Sequence, residues 1–207
     1  MPNRLKSLLV NPISLCRNDP MADSMRAFVA AEIDQVARKR IEALISEMDC
    51  SAIRPVREDQ IHVTLMFMGQ LGDAAAKAIS DAISQLDEEP FGVSVNGIGT
   101  FSGSGIRIIY AKITDGYDEL LRIRSSLKES ADRIGIKADG REFAAHATIA
   151  RVKNPSDDDI DYIRGFIASH SEDALGDFTC SEIKLKRSVL GEKGPAYTDI
   201  FVKRLGR

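Results

Sequence analysis

Two tripeptides of one pattern, His62-Val63-Thr64 and His146-Ala147-Thr148, hold matching places in the two halves of the chain, and this repetition constrains the fold more than any other feature. In the first half, MRAFVAAEI from Met25 reads as a strand, and Ile41, Leu44, Ile45 and Met48 then fall on one helical stripe. IHVTLMFMG is a second strand, closed by Gly69. Asp73 is placed to cap a helix whose apolar face is Ala76, Ile79, Ile83 and Leu86, and FGVSVNGIG is a third strand.

The second half repeats this order. IRIIYAKI is a strand, a helix comes next on Tyr117, Leu120, Leu121, Leu127, Ala131 and Ile134, and FAAHATIARV is the next strand. Ser156, succeeded by Asp157, Asp158 and Asp159, predicts a helix start, because its hydroxyl accepts from unpaired amides and the carboxylates suit the positive dipole end. Ile160, Ile163 and Ile167 are that helix's apolar positions. Two β segments, FTCSEIKLKRSVL and AYTDIFVKRL, close the chain around the turn GEKGPA. Both halves thus read β-α-β-α-β, an α+β chain built by duplication. Packing two such halves about a pseudo-twofold axis brings His62 toward His146 across a shared cleft.

Alternation along a strand sends His62 and Thr64 to one face, Val63 and Leu65 to the other; His146 and Thr148 stand likewise against Ala147 and Ile149. Two imidazoles on opposite walls suit in-line displacement at phosphorus, which needs a base on the water side and an acid on the leaving-oxygen side. Histidine is the side chain able to be neutral in one copy and protonated in the other near pH 7. Thr64 and Thr148 are placed to donate hydrogen bonds to the non-bridging oxygens. The cleavage of a cyclic phosphodiester fits this set. No metal-binding signature accompanies it, so neither a metal nor another cofactor is expected. The third histidine, His170, reads as a solvated residue at a helix end.

A net charge of −3 gives no overall basic field of the kind that grips long nucleic acid, which leaves a nucleotide or an RNA end as the expected partner. Cys16, Cys50 and Cys180 are odd in number and widely spaced, which predicts free thiols in a reducing cytoplasm. No apolar run is long enough to cross a bilayer. Residues 1–24 differ in pattern from the rest of the chain and read as a disordered leader or a misassigned start, Met21 and Met25 being alternative starts. Residues 25–207 read as one domain. Gly97, Gly99, Gly103 and Gly105 lack the Gly-Lys-Ser/Thr of a phosphate loop and predict a hairpin turn.

From Met25 to the C-terminus, and above all in IRPVREDQIHVTLMFMG, REFAAHATIARV and SVLGEKGPAYTDI, the chain resembles the LigT-like 2H phosphoesterases, RNA 2′,3′-cyclic phosphodiesterases also called 2′-5′ RNA ligases. The resemblance implies two antiparallel sheets forming a bilobal cleft, with the helices outside. It implies opening of a 2′,3′-cyclic phosphate to a 2′-phosphate, together with reversible 2′-5′ joining of tRNA halves, by a cytoplasmic monomer. His62 would protonate the leaving 3′ oxygen, His146 would activate water, and Phe67 and Arg151 would sandwich the terminal base.

Strict alternation, however, puts Phe67 and Arg151 on the face opposite their histidines. For Phe67 a core position is the competing reading. For Arg151 burial is costly unless the strand ends or bulges there. The chain departs from the family at Ser102 and Tyr110, where proline and tryptophan are expected, and at Ala145, where proline is frequent. Two other readings stay open: a phosphodiesterase of small nucleotides such as ADP-ribose cyclic phosphate or 2′-5′ oligoadenylate, and a non-catalytic module that binds RNA ends.

Overall fold

The computed structural model describes residues 24–101, 103, 105–137, 142–191 and 194–206. The expected leader through residue 23, with Cys16 and Met21, lies outside the described residues, as do Ser102 and positions 192–193 of the last turn.

The described elements run β1 (Met25–Glu32), α1 (Gln35–Ser46), β2 (Ile53–Pro55), a 3-10 turn (Glu58–Gln60), β3 (His62–Leu71), α2 (Asp73–Ser84), β4 (Phe91–Thr100) and β5 (Ile108–Asp115). They continue with α3 (Tyr117–Arg133), β6 (His146–Val152), α4 (Asp157–Ser169), β7 (Ala174–Cys180), β8 (Glu182–Gly191) and β9 (Gly194–Arg204). The expected α+β alternation holds. The short β2 has no counterpart in the sequence pattern, and the C-terminal region forms three strands where the sequence predicts two.

Local chemistry sets the helix boundaries. Asp34 accepts from the Ala37 amide at 2.8 Å and starts α1. Ser156 and Asp159 form a reciprocal capping box at α4, as the sequence predicts. Asp73 is not a cap: Gly72 holds that position, and Asp73 is the first residue of α2, where its charge meets the helix dipole. In α3 the buried stripe is Leu120, Ile123, Leu127 and Ala131, while Ile134, expected on it, is exposed. No helix of the described residues is long and apolar enough to cross a membrane.

The strands are ordered β7-β4-β5-β6-β3-β1-β8-β9, with β2 on β6, and every pairing is antiparallel. The two expected sheets are therefore joined into one curled sheet. Among the described residues they meet at β3 and β6, through the pair Val63 and Ala147. The lobes do not coincide with the sequence halves. β4 leaves the first half to sit between β7 and β5, and the C-terminal β8 and β9 extend the lobe begun by β1 and β3. The helices share in this exchange, α1 packing on β6 and β7 and α2 on β8 and β9. Buried apolar side chains from both lobes form one continuous cluster, which includes Val29, Leu65, Ile109, Ile149 and Leu185.

The predicted glycine-rich turn is also resolved into parts: Gly97 and Gly99 lie within β4, and Gly103 and Gly105 lie in the β4–β5 connection. Gly97 sits at a register irregularity with φ of 72°, and its amide donates to the Asp173 carbonyl at 2.7 Å. A Cβ there would come within 1.8 Å of the Ser171 carbonyl oxygen. Because that obstacle is backbone and the φ is left-handed, Gly97→Ala is expected to destabilise the fold by about 2 kcal/mol or more, lowering Tm by roughly 4–8 °C. Thermal denaturation against Gly105→Ala, whose added Cβ meets nothing within 4 Å, separates the backbone clash from φ strain alone.

Candidate active site

The core sets the histidine strands in register. Val63 and Ala147 are fully buried partners. Extending their antiparallel ladder by one residue in each direction sets His62 opposite Thr148 and Thr64 opposite His146.

Both strands then bulge at the same point. On β3, Met66 pairs with Val29 and Thr64 with Ala30, so Leu65 is the extra residue. On β6, Ala150 pairs with Ile109 and Thr148 with Tyr110, so Ile149 is the extra residue. Each bulge lies three positions after its histidine and reverses the alternation beyond it. Met66 and Ala150 go to the core, and Phe67 and Arg151 turn outward. This removes the conflict left by strict alternation. Phe67 is 49% exposed, which corrects the reading of it as a core residue.

One cavity of about 1180 Å³ is lined by His62, Thr64, Phe67, Thr148 and Arg151. His146 is not among the residues lining it. Its ring is walled by Phe101, edge-on at 4.9 Å between centroids, and by Tyr110 at 5.3 Å. His62 has the corresponding company, Phe28 stacked at 4.9 Å and Tyr197 edge-on at 5.4 Å. Tyr110 thus fills a place beside His146 where the family resemblance leads one to expect tryptophan.

The backbone two residues earlier acts on both rings. His146 Nδ1 lies 2.6 Å from the Ala144 carbonyl, which suits Nδ1–H as the donor. The Gln60 backbone, two residues before His62, favours the charged form of that ring. His170 is apart from both: it ends α4 and pairs with Asp173 at 2.7 Å.

The two histidines differ in what lies behind them. Glu32 is the β1 partner of His62, and beside it Lys186 lies 2.6 Å from Glu32 and 2.7 Å from Asp199. Lys186 is the one charged side chain classed as buried among the described residues. Burial opposes ionisation of Asp199, yet its bonds to Lys186 and Lys184 hold its carboxyl below the usual range. Burial likewise pushes the His62 imidazole down from 6.5 to about 4. Glu32 and the Gln60 backbone pull it up, while Lys186 and Arg38 oppose them. His62 is thus neutral at pH 7.

The cavity carries a feature that the net charge hides. Arg26, Arg54, Arg57, Arg151, Lys153 and Arg187 line it, and no Asp or Glu does among the described residues. Of the six, only Arg57 has an acidic partner there, Asp59. Sequence reasoning missed this concentration because the cations come from separated segments. Its one local sign was the run IRPVR, with two arginines flanking a Pro-Val pair. No group of three or more His, Cys, Asp or Glu side chains placed to hold a metal occurs among the described residues.

A curled antiparallel sheet with a His-x-Thr on each of its two central strands defines the 2H phosphoesterase class. Residues 27–191 match the model of the 2′-5′ RNA ligase superfamily, and the chain belongs to that family. It is 30% identical to an RNA 2′,3′-cyclic phosphodiesterase of Archaeoglobus fulgidus over 86% of this chain and 99% of that protein. Among solved structures, TT0787 of Thermus thermophilus is similar with a TM-score of 0.73 and 25% identity, covering 87% of this chain and 98% of that one. Escherichia coli LigT complexed with 3′-AMP shares the fold with a TM-score of 0.73 over 89% of this chain and all of that one, at 20% identity.

The depressed His62 value fixes the sign of a pH effect. Between pH 6.5 and about 4 the unfolded chain binds a proton that folded His62 does not, so stability is lost as pH falls through that window. His62 contributes about 3 kcal/mol to this loss. NMR of the His62 ring should show a midpoint near 4, and His62→Asn should flatten the urea-measured stability profile over the same range. A midpoint near 6.5 would contradict the account.

Proposed function

We propose that the chain hydrolyses 2′,3′-cyclic phosphates at RNA ends to 2′-phosphates, without a metal, using His62 and His146 as an acid/base pair. What carries this reading is the register of the two tripeptides, whose middle residues Val63 and Ala147 pair across β3 and β6, while His62, Thr64 and Thr148 line a cation-rich cleft. The relatives' names as RNA 2′,3′-cyclic phosphodiesterases and the nucleotide-bound LigT fold neighbour support the substrate class. Residues 25–207 act as the catalytic unit, since both lobes draw on one core.

In the reaction, His146 takes a proton from water through Nε2, its Nδ1–H being held by the Ala144 carbonyl. The water oxygen attacks phosphorus, and the bond from phosphorus to the 3′ oxygen breaks. His62 delivers a proton to that leaving oxygen. It must be charged to do so, and the anionic phosphate joins Glu32 as a negative neighbour, raising the proton affinity that burial lowers. Thr64 and Thr148 donate to the non-bridging oxygens as charge builds there. Phe67 and Arg151, turned outward by the paired bulges, hold the terminal base between a ring and a guanidinium plane. With a 5′-hydroxyl end in place of water, the same groups carry out 2′-5′ joining: His146 takes the proton of the 5′ hydroxyl, its oxygen attacks phosphorus, and the 3′ oxygen leaves with a proton from His62, a reaction for which tRNA halves are a fitting substrate.

Incubation with a nucleoside 2′,3′-cyclic phosphate in excess chelator should yield the 2′-phosphate at an undiminished rate. A strict requirement for added divalent metal, or a 3′-phosphate product, would overturn the mechanism. Because acid and base serve one displacement, their losses should not multiply. His62→Ala and His146→Ala should each lower kcat by about 100-fold or more, and the double variant should be within roughly tenfold of the worse single one. Small, independent losses would remove the pair from the chemistry and favour an RNA-end-binding role.

A further inference from the structure

The cleft holds more positive charge than one cyclic phosphate requires, and part of it is arranged in a line. Arg54 on β2 is the register partner of Arg151 on β6. Their neighbours in the ladder, Ile53 and Val152, are both buried, so the two arginines share the outward face. Lys153 stands two positions after Arg151 and is again exposed, with Val152 buried between them. Arg151 on β6 and Lys153 just beyond its end thus lead away from Thr148, with Arg54 alongside.

Like charges directly opposite in a ladder are destabilising. Neither Arg54, Arg151 nor Lys153 has an ion-pair partner among the described residues, and no acidic side chain there lines the cavity. Arg54 is not loose, since its Nη1 donates to the Ile53 carbonyl at 2.9 Å. A row of cations without acidic partners is a site for a row of anions. The cavity volume of about 1180 Å³ also exceeds the roughly 300–1,000 Å³ typical of small-ligand pockets.

We propose that Arg54 and Lys153 bind internucleotide phosphates of an RNA strand leading up to the cyclic end, so that the substrate is a strand of several nucleotides rather than a free nucleotide. This rests on the reading of the cleft as a cyclic phosphodiesterase site. The strand enters along the β2–β6 side, its last base at Phe67 and Arg151 and its preceding phosphates on the cation row. Recognition of those phosphates is independent of base identity.

The test compares adenosine 2′,3′-cyclic phosphate with oligoadenylates of two, four and six nucleotides carrying the same end, across a range of salt. Wild type should show kcat/KM about tenfold or more higher for the tetranucleotide than for the mononucleotide at low salt, an advantage that shrinks as salt rises. The Arg54→Gln/Lys153→Gln variant should lose most of that advantage while its mononucleotide rate changes by less than about twofold. Its slope of log kcat/KM against log salt for the tetranucleotide should be shallower by about 1.4, for two lost single-strand contacts. The charge-keeping variant Arg54→Lys/Lys153→Arg should retain the advantage, which excludes a merely structural effect. Equal losses for all substrates, or no length advantage in wild type, would overturn the proposal. Should neither substrate be cleaved, the catalytic reading fails separately. Fluorescence anisotropy with a labelled tetra-adenylate bearing a 3′-phosphate then still reads the cation row: equal salt slopes for wild type and the glutamine variant would reject it.

Discussion

The contact between Val63 and Ala147 is the point on which the site depends. β3 and β6 meet in one residue pair, and that pair is buried completely. Burial matters here because strand register is a discrete quantity: a slip of one residue turns every side chain to the opposite face. A slip would move His62 and Thr64 into the core and Val63 into the cleft, a change opposed by burial on one side and by desolvation of polar groups on the other. The alignment of the tripeptides is thus held by their apolar middle residues. His and Thr can then be placed for chemistry, since Val and Ala do the packing.

The paired bulges extend this principle beyond the tripeptides. An unbroken strand cannot put residues i, i+2 and i+5 on one face, yet His62, Thr64 and Phe67 all line the cavity. One inserted residue in each strand makes that spacing possible. Strand type, the helix stripes and the two His-x-Thr units were legible in the sequence because each rests on local periodicity. The bulges were not, because Leu65 and Ile149 are ordinary core residues to any pattern of alternation. Arg151 gave the one hint, a guanidinium at a position that alternation would have buried.

What depends on distant segments was also hidden. A chain with net charge −3 gives no sign that six cations line one cleft. Lys186 looks like a surface residue in EIKLKRS, but the exchange of β8 into the first lobe sets it between Glu32 and Asp199, close enough to influence His62. The lobe assignment itself was misleading for the same reason. Duplication is visible as an order of elements, whereas the strand exchanged between lobes is decided by packing.

That exchange has a consequence for how the molecule comes into being. β1 has β3 on one edge and β8 on the other, and Ala31 pairs with Ile183, about 150 residues further along. At roughly 5–20 residues per second, β1 leaves the ribosome on the order of 10–30 s before its second partner exists. During that interval its open edge carries the run Phe28-Val29-Ala30-Ala31 with unsatisfied backbone donors and acceptors, the kind of edge that recruits other chains. The lobe that holds His62 therefore stays open until β8 is made, and β1 has to be kept from wrong partners while the intervening residues are translated.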